Sequence, residues 1–202
     1  GVSIIALIFY RWDKKRKRRK RELEERLTTE RKARRQHLFD FLKAKYSSIK
    51  SSADRFSKHL EHQNGYFANH SLNTWITQHD NLFDEIKDKP YEDIGLSDTE
   101  VETINTFQDY FENARTYRNE FNKQFIKKEL KDYKAFFDDI EGKELDAQQR
   151  RAIVTNEDNN IVIAGAGSGK TTTIIGKIDY IIDRYKTAPE EILLISFTRK
   201  SA

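Results

Sequence analysis

The chain of 202 residues contains no cysteine and no methionine, and only two prolines and eight glycines. Without cysteine there can be no disulfide and no thiolate metal site, a composition that suits a reducing compartment. Without methionine there is no initiator residue, and the chain from Gly1 to Ala202 is expected to be a fragment cut from a longer protein at both ends. Four of the eight glycines fall between Gly165 and Gly176, so the first 140 residues hold little that would interrupt long helices. A content of 37% hydrophobic and 35% charged residues is polar for a compact globule and points to extended helix.

What is present is unevenly placed. The formal net charge is +4, yet Arg11 to Gln36 alone holds 14 Lys or Arg against 5 Asp or Glu, so the basic character is a block. In front of it lies the uncharged apolar run Val2 to Tyr10. That run is far shorter than the roughly 20 residues a spanning helix needs. Residues 1–12 are therefore read as the end of a membrane anchor, with Tyr10 and Trp12 at the interface and the basic block as its cytoplasmic flank. A soluble helix start is the alternative, and a secretory signal is disfavoured because the charge follows the apolar run. The block could bind nucleic acid, rest on anionic lipid headgroups, or be a solvated helical face.

Residues 13–141 read as a helical arm, an antiparallel hairpin or small bundle. Leu23, Leu27, Leu38, Leu42, Tyr46, Ile49, Phe56 and Leu60 mark apolar contacts along a first long helix, with a break expected near Ser51-Ser52. Gln63-Asn64-Gly65 is a predicted turn, and Ser71 to Asp88 a second helix burying Leu72, Trp75, Ile76, Leu82, Phe83 and Ile86. Ser97 and Glu100 form a capping box that starts a third helix. Its apolar seam of Ile104, Phe107, Phe111, Ala114, Phe121 and Phe125 resembles a coiled-coil heptad, interrupted by Arg118.

At Gly142 the character changes. Asp146 can cap a short helix through Val154, Asn156 to Asn160 make a polar turn, and Ile161-Val162-Ile163 is a predicted strand. Directly after it comes Ala164-Gly165-Ala166-Gly167-Ser168-Gly169-Lys170-Thr171, a phosphate-binding loop with Ala in place of the usual first Gly. Its glycines allow backbone N–H groups to point at phosphate oxygens. Lys170 can reach the outer phosphates, and Thr171 can offer its hydroxyl to Mg²⁺. A helix from about Lys170, with Ile174, Ile178, Ile181 and Tyr185 on one face, adds its positive end to the same spot. With a second strand over Ile192 to Phe197, residues 142–202 are expected to open an α/β P-loop NTPase domain of the RecA-like kind, incomplete here.

Leu145-Asp146-Ala147-Gln148-Gln149-Arg150-Arg151-Ala152 resembles the glutamine motif of the UvrD/Rep-like superfamily 1 helicases. Ala164 to Thr171 resembles that family's first nucleotide motif, and Leu194-Ile195-Ser196-Phe197-Thr198-Arg199-Lys200-Ser201-Ala202 its motif Ia. Pro189 to Lys200, and the helix with Tyr117, Asn119, Tyr133, Phe136 and Phe137, are similar to the helicase IV branch of the family.

The resemblance implies an ATP-dependent DNA helicase or translocase working 3′ to 5′ on single-stranded or duplex DNA. Gln149, Ala164, Gly165, Ala166, Gly167, Ser168, Gly169, Lys170 and Thr171 would bind ATP, with Lys170 and Thr171 as catalytic residues and Thr171 on Mg²⁺. Thr198, Arg199 and Lys200 would contact single-stranded DNA. Gln149 could instead serve as the capping partner of Asp146, and Arg199 and Lys200 could be a solvated helix start. The carboxylates that hold Mg²⁺ and activate water are not found in the fragment, which is expected not to hydrolyse ATP efficiently by itself. The other reading is a membrane-associated coiled-coil adaptor whose P-loop module binds nucleotide without unwinding. Either protein is placed in the cytoplasm, tethered to the inner face of the cell membrane.

Overall fold

A computed structural model of the chain describes residues 4–165 and 167–195, with Ile5 and Ala6 described in their backbone only. Helix α1 spans Ile4–His59, α2 Asn69–Ile86, α3 Asp98–Asp132, α4 Lys134–Asp138, α5 Ala147–Val154 and α6 Lys170–Tyr185. Short 3₁₀ turns occupy His62–Asn64 and Pro189–Glu191. The chain divides into two compact units. One takes the residues up to Lys50 with Asp88–Asn105, the other Ser51–Lys87 with Thr106 onward.

In the first unit, α1 is fully exposed from Arg11 to His37 apart from half-buried Asp13. It is held there by pairs one turn apart, such as Asp13 with Lys17 at 2.8 Å and Arg18 with Glu22 at 2.7 Å, each contributing a few tenths of a kcal/mol. Leu23 and Leu27, expected to mark apolar contacts, are exposed, so this stretch forms no coiled coil among the described residues. No helix of the described residues is long and apolar enough to cross a membrane. Packing begins at Leu42 and Ile49, which are buried with Tyr91 and Ile104. Here the expected capping box is in place: Ser97 N–H donates to Glu100 Oε2 at 3.0 Å, and Glu100 N–H to Ser97 Oγ at 3.4 Å. Lys43 Nζ also reaches Glu100 Oε1 at 2.5 Å, and this ammonium, with the Ser97 bonds, holds the carboxyl below its ordinary range.

In the second unit an aromatic core gathers the end of α1, α2 and α3. Phe56 lies with its ring centroid 4.6 Å from Trp75 and 4.7 Å from Tyr110, and Phe83 stacks on Phe111 at 4.2 Å. The break expected at Ser51-Ser52 is absent, because α1 runs through to His59. Ser52 is buried, and its small side chain lets the Trp75 indole approach and donate to the Ser52 carbonyl at 3.1 Å. The serine pair marks a helix contact. A second core of Phe137, Ile140, Leu145, Ile153, Val154 and Tyr180 joins α4, α5 and α6, with Ile126 and Leu130 of α3 against it.

The α/β reading of residues 142–202 is not borne out. Among the described residues there is no strand, and the one β-bridge joins Ile140 to Lys143. A strand exists only where its backbone groups find a ladder partner. Ile161–Ile163 and Ile192–Ile195 find none among the described residues, and Ile161, Ile163 and Leu193 are 88, 95 and 83% exposed. The apolar pattern supplied strand-forming residues without a neighbour to pair with. Ser196 and Phe197, also assigned to the second strand, lie outside the described residues.

Between the Asn64 turn and α2 the chain is held by a side chain that acts as a surrogate peptide. Buried Asn122 accepts from Phe67 N–H at 2.9 Å and donates to Phe67 O at 2.9 Å. Arg118 Nε donates to the same carbonyl at 2.8 Å, so only the N–H depends wholly on Asn122. Asn122→Leu is expected to leave that buried N–H unpaired and to lower unfolding free energy by about 1–3 kcal/mol, measured by urea titration.

Candidate functional site

The residues singled out as nucleotide-binding cluster at the start of α6. Gly167 and Gly169 both have left-handed backbone (φ +76° and +75°), which a side chain would strain. At Gly169 a Cβ would also lie 2.7 Å from Gln149 Nε2 and would displace that amide from the loop. Around Gly165 there is open space and no such demand. Ser168 Oγ and Lys170 Nζ both donate to Gly165 O, at 2.7 and 2.6 Å, and Lys170 also donates to Ala164 O at 3.0 Å. The loop is thus drawn around the ammonium.

Thr173 N–H is bonded to Gly169 O, the first rung of α6. The N–H groups before it have no intrahelical acceptor and carry the positive end of the helix dipole. Glycines with positive φ, a lysine over the loop and a helix N-terminus together fit a chain of phosphates. Thr171 is exposed on the first turn, where its hydroxyl is free to meet solvent or a metal. No group of three or more His, Asp or Glu that could hold a metal ion occurs among the described residues.

Gln149 sits on α5 and touches the loop directly. Its Oε1 accepts from Asp146 N–H at 2.8 Å, while Asp146 Oδ1 accepts from Gln149 N–H at 2.9 Å, completing the capping box. Its Nε2 donates to Ser168 O at 3.0 Å. A primary amide has two N–H groups and two acceptor lone pairs, so Gln149 keeps one of each for another partner. Capping and ligand contact are therefore compatible at this residue. Ala166, Thr198, Arg199 and Lys200 lie outside the described residues.

Several residues that position the site carry no motif. Gly176 lets α5 and α6 meet, since a Cβ there would lie 2.9 Å from Ile153 Cδ1. Glu157 and Asp158, in the polar turn before the loop, bond the backbone N–H groups of Asn69 and His70 at 2.9 and 2.7 Å and so cap α2 from a distant part of the chain. Arg118, which looked like an interruption of the α3 seam, pairs with Glu157. Asp183 is bonded to Tyr133 and Lys186 and takes no part in the site.

Against this geometry, the UvrD/REP helicase N-terminal domain family matches residues 145–202. DNA helicase IV of Escherichia coli (strain K12) is 35% identical over 95 residues, covering 47% of this chain and 14% of its own length. The ATP-dependent DNA helicase PcrA of Staphylococcus epidermidis is 40% identical over 60 residues, or 30% of this chain and 8% of its own length. The ATP-dependent DNA helicase UvrD1 of Mycobacterium leprae is 43% identical over 58 residues, or 29% and 8%. The chain thus corresponds to a small part of each of these relatives. No solved structure matches it. The family match falls on the segment that carries the glutamine motif and the phosphate loop, and the similarity to DNA helicase IV, over 95 residues, is longer than that segment.

Lys177, one turn below the buried Thr173, ties α6 to the end of α5 by donating to Ile153 O, Thr155 O and Asn156 Oδ1 at 2.7, 2.9 and 3.1 Å. Burial pulls its pKa from 10.5 down to about 8. Above pH 8 the folded chain has released a proton that the unfolded chain still holds, so stability is expected to rise by roughly 2 kcal/mol between about pH 8 and 10. Near pH 10 the trend should reverse. Tyr133, pushed up to about 12 by burial and by Asp183, and Tyr180, raised by burial and by Glu129, then keep protons that the unfolded chain loses. Urea midpoints across this range test the prediction, and Lys177→Met should abolish the rise.

Proposed function

We propose that the chain is the N-terminal part of an ATP-dependent superfamily 1 DNA helicase or translocase that moves 3′ to 5′. The observation that carries this reading is the loop of positive-φ glycines at the head of α6, with Lys170 drawn over it and Gln149 tethered to its Ser168 carbonyl. ATP would lay its phosphates along the N–H groups of Gly165 to Thr171, with Lys170 neutralising the outer phosphates and Thr171 offering its hydroxyl to Mg²⁺. The free lone pair and N–H of Gln149 match the acceptor and donor of the adenine edge. Thr198, Arg199 and Lys200 would take single-stranded DNA by its backbone. When bound, Mg²⁺ supplies charge neutralisation between the outer phosphates.

Lys170→Ala in the full-length parent tests this. The residue is exposed and its ammonium bonds two loop carbonyls, so the fold should survive. ATP hydrolysis should fall by on the order of a hundredfold or more. Wild-type turnover in the variant would refute the site. Nucleotide binding by the wild-type parent without DNA-stimulated hydrolysis or strand displacement would instead support an adaptor.

A second reading concerns location, and it rests on the exposed apolar side chains at the start of α1. Ile4, Leu7, Ile8, Phe9, Tyr10 and Trp12 are all more than half exposed, directly before the basic run Lys14 to Arg21. That pairing suits insertion into a membrane with the basic run on anionic headgroups of the cytoplasmic face. Membranes carrying the parent should retain it through a high-salt wash, which strips polybasic contacts alone. Release by salt would leave the basic helix without an anchor.

A further inference from the structure

The second unit has a groove that the nucleotide site does not use. It encloses about 400 Å³ between the end of α1, which contributes Arg55, Lys58 and His59, and the start of α2, which contributes His70, Ser71, Thr74, Trp75 and Gln78. The α1 residues are three and four apart and so share one helix face, and the α2 residues likewise line one face. No Asp or Glu lines the groove, in a chain with 33 of them. Neither Arg55 nor Lys58 has a carboxylate partner among the described residues, and both are exposed. The α2 side carries hydroxyl, amide and imidazole groups around the apolar surface of Trp75.

The fixed parts of the groove are already satisfied internally. The Trp75 indole N–H is committed to Ser52 O, the His59 ring stacks on Phe67 at 4.6 Å, and burial lowers the His59 pKa so that it is neutral at pH 7. The N–H groups of Asn69 and His70 at the head of α2 are taken by Glu157 and Asp158. A ligand would therefore meet side chains and not the helix terminus. Two unpaired cations beside neutral hydrogen-bonding groups along an open groove suit an anion of low charge per unit that also accepts hydrogen bonds, repeated along a chain. We propose that this groove is a second nucleic-acid site on the helical arm, which holds the phosphodiester backbone of single-stranded DNA. Arg55 and Lys58 neutralise adjacent phosphates, and Ser71, Thr74 and Gln78 bond the non-bridging oxygens and the sugars.

The inference rests on DNA being the substrate, but its test does not depend on the nucleotide site. Binding of a fluorescent single-stranded oligonucleotide is measured by anisotropy over a salt series, in the full chain and in Arg55→Gln/Lys58→Gln. Whatever DNA the exposed α1 block holds is the same in both proteins and sets a common background. Loss of two phosphate contacts should weaken binding about tenfold near 0.1 M salt and make the dependence of log K on log salt shallower by about 1.4. The affinity for ATP should stay the same, because neither residue touches the loop. Unchanged DNA affinity and salt slope would overturn the proposal, as would loss of binding to anionic phospholipid vesicles with DNA binding intact. Failure of ATP binding in both proteins, with DNA binding still dependent on the two residues, would refute the ATPase reading and leave the groove standing.

Discussion

Glu129 is the group around which the second unit is arranged. Its side chain is 1% exposed, and a carboxylate so deeply buried is tolerated only where other groups replace its water. Tyr180 OH donates to Oε2 at 2.6 Å, Arg184 Nε donates to Oε1 at 3.1 Å, and His62 Nε2 lies 3.0 Å from Oε1. Those partners come from α6 and from the 3₁₀ turn after α1, so one charge on α3 fixes the rotation of α6 and the path of the turn together. Arg184 then reaches on to His62 O at 2.7 Å, and Tyr185 packs so closely on Gly65 that a Cβ there would lie 2.5 Å from its ring. Arg184 is the one charged group set against the carboxylate, and losing it would leave Glu129 to Tyr180 alone.

The consequence for the glycine-rich loop before α6 is that this helix is held at both ends. Glu129, Tyr133 and the Asn64 turn grip its last turns, while Gly176 and Lys177 fit its first half against α5. The segment leading into the loop is held separately, through Glu157 and Asp158 on the head of α2 and through Arg118 on Glu157. The helices of this unit therefore act as part of the mounting of the loop. A displacement of α2 or α3 would be felt at Asn156–Asn160 and, four residues later, at Ala164. That is a physical route by which contacts on these helices reach the loop.

Features that depend on neighbours in sequence were legible before the fold was known. Both capping boxes, Ser97 with Glu100 and Asp146 with Gln149, are three-residue patterns closed by local geometry, and the start of α6 followed from Gly169-Lys170-Thr171. The buried positions of Phe56, Trp75, Phe107 and Phe125 followed from helical spacing, whereas Phe67, Tyr91 and Tyr180 did not. What escaped depended on contacts across the chain. Arg118 reads as a flaw in a heptad until Glu157 and Phe67 O are placed beside it. Ser52 reads as a helix breaker until Trp75 is seen to need a small neighbour. The strands over Ile161–Ile163 and Ile192–Phe197 were inferred from composition alone, whereas a strand is a property of a pair. The DNA contacts at Thr198, Arg199 and Lys200 rest on the motif alone.

Two apolar stretches that join no sheet among the described residues have a practical bearing on the behaviour of this polypeptide in solution. Ile161, Ile163, Leu193 and Ile195 present β-branched or leucyl side chains to water, beside N–H and C=O groups that no ladder uses. Such edges recruit other edges; Pro189, Glu190 and Glu191 flank the second stretch as gatekeepers, whereas Asn159 and Asn160 before Ile161 carry no charge. Self-association of this polypeptide should therefore begin at these two stretches, climb with concentration, and leave the highly charged α1 soluble and peripheral in whatever assembly forms.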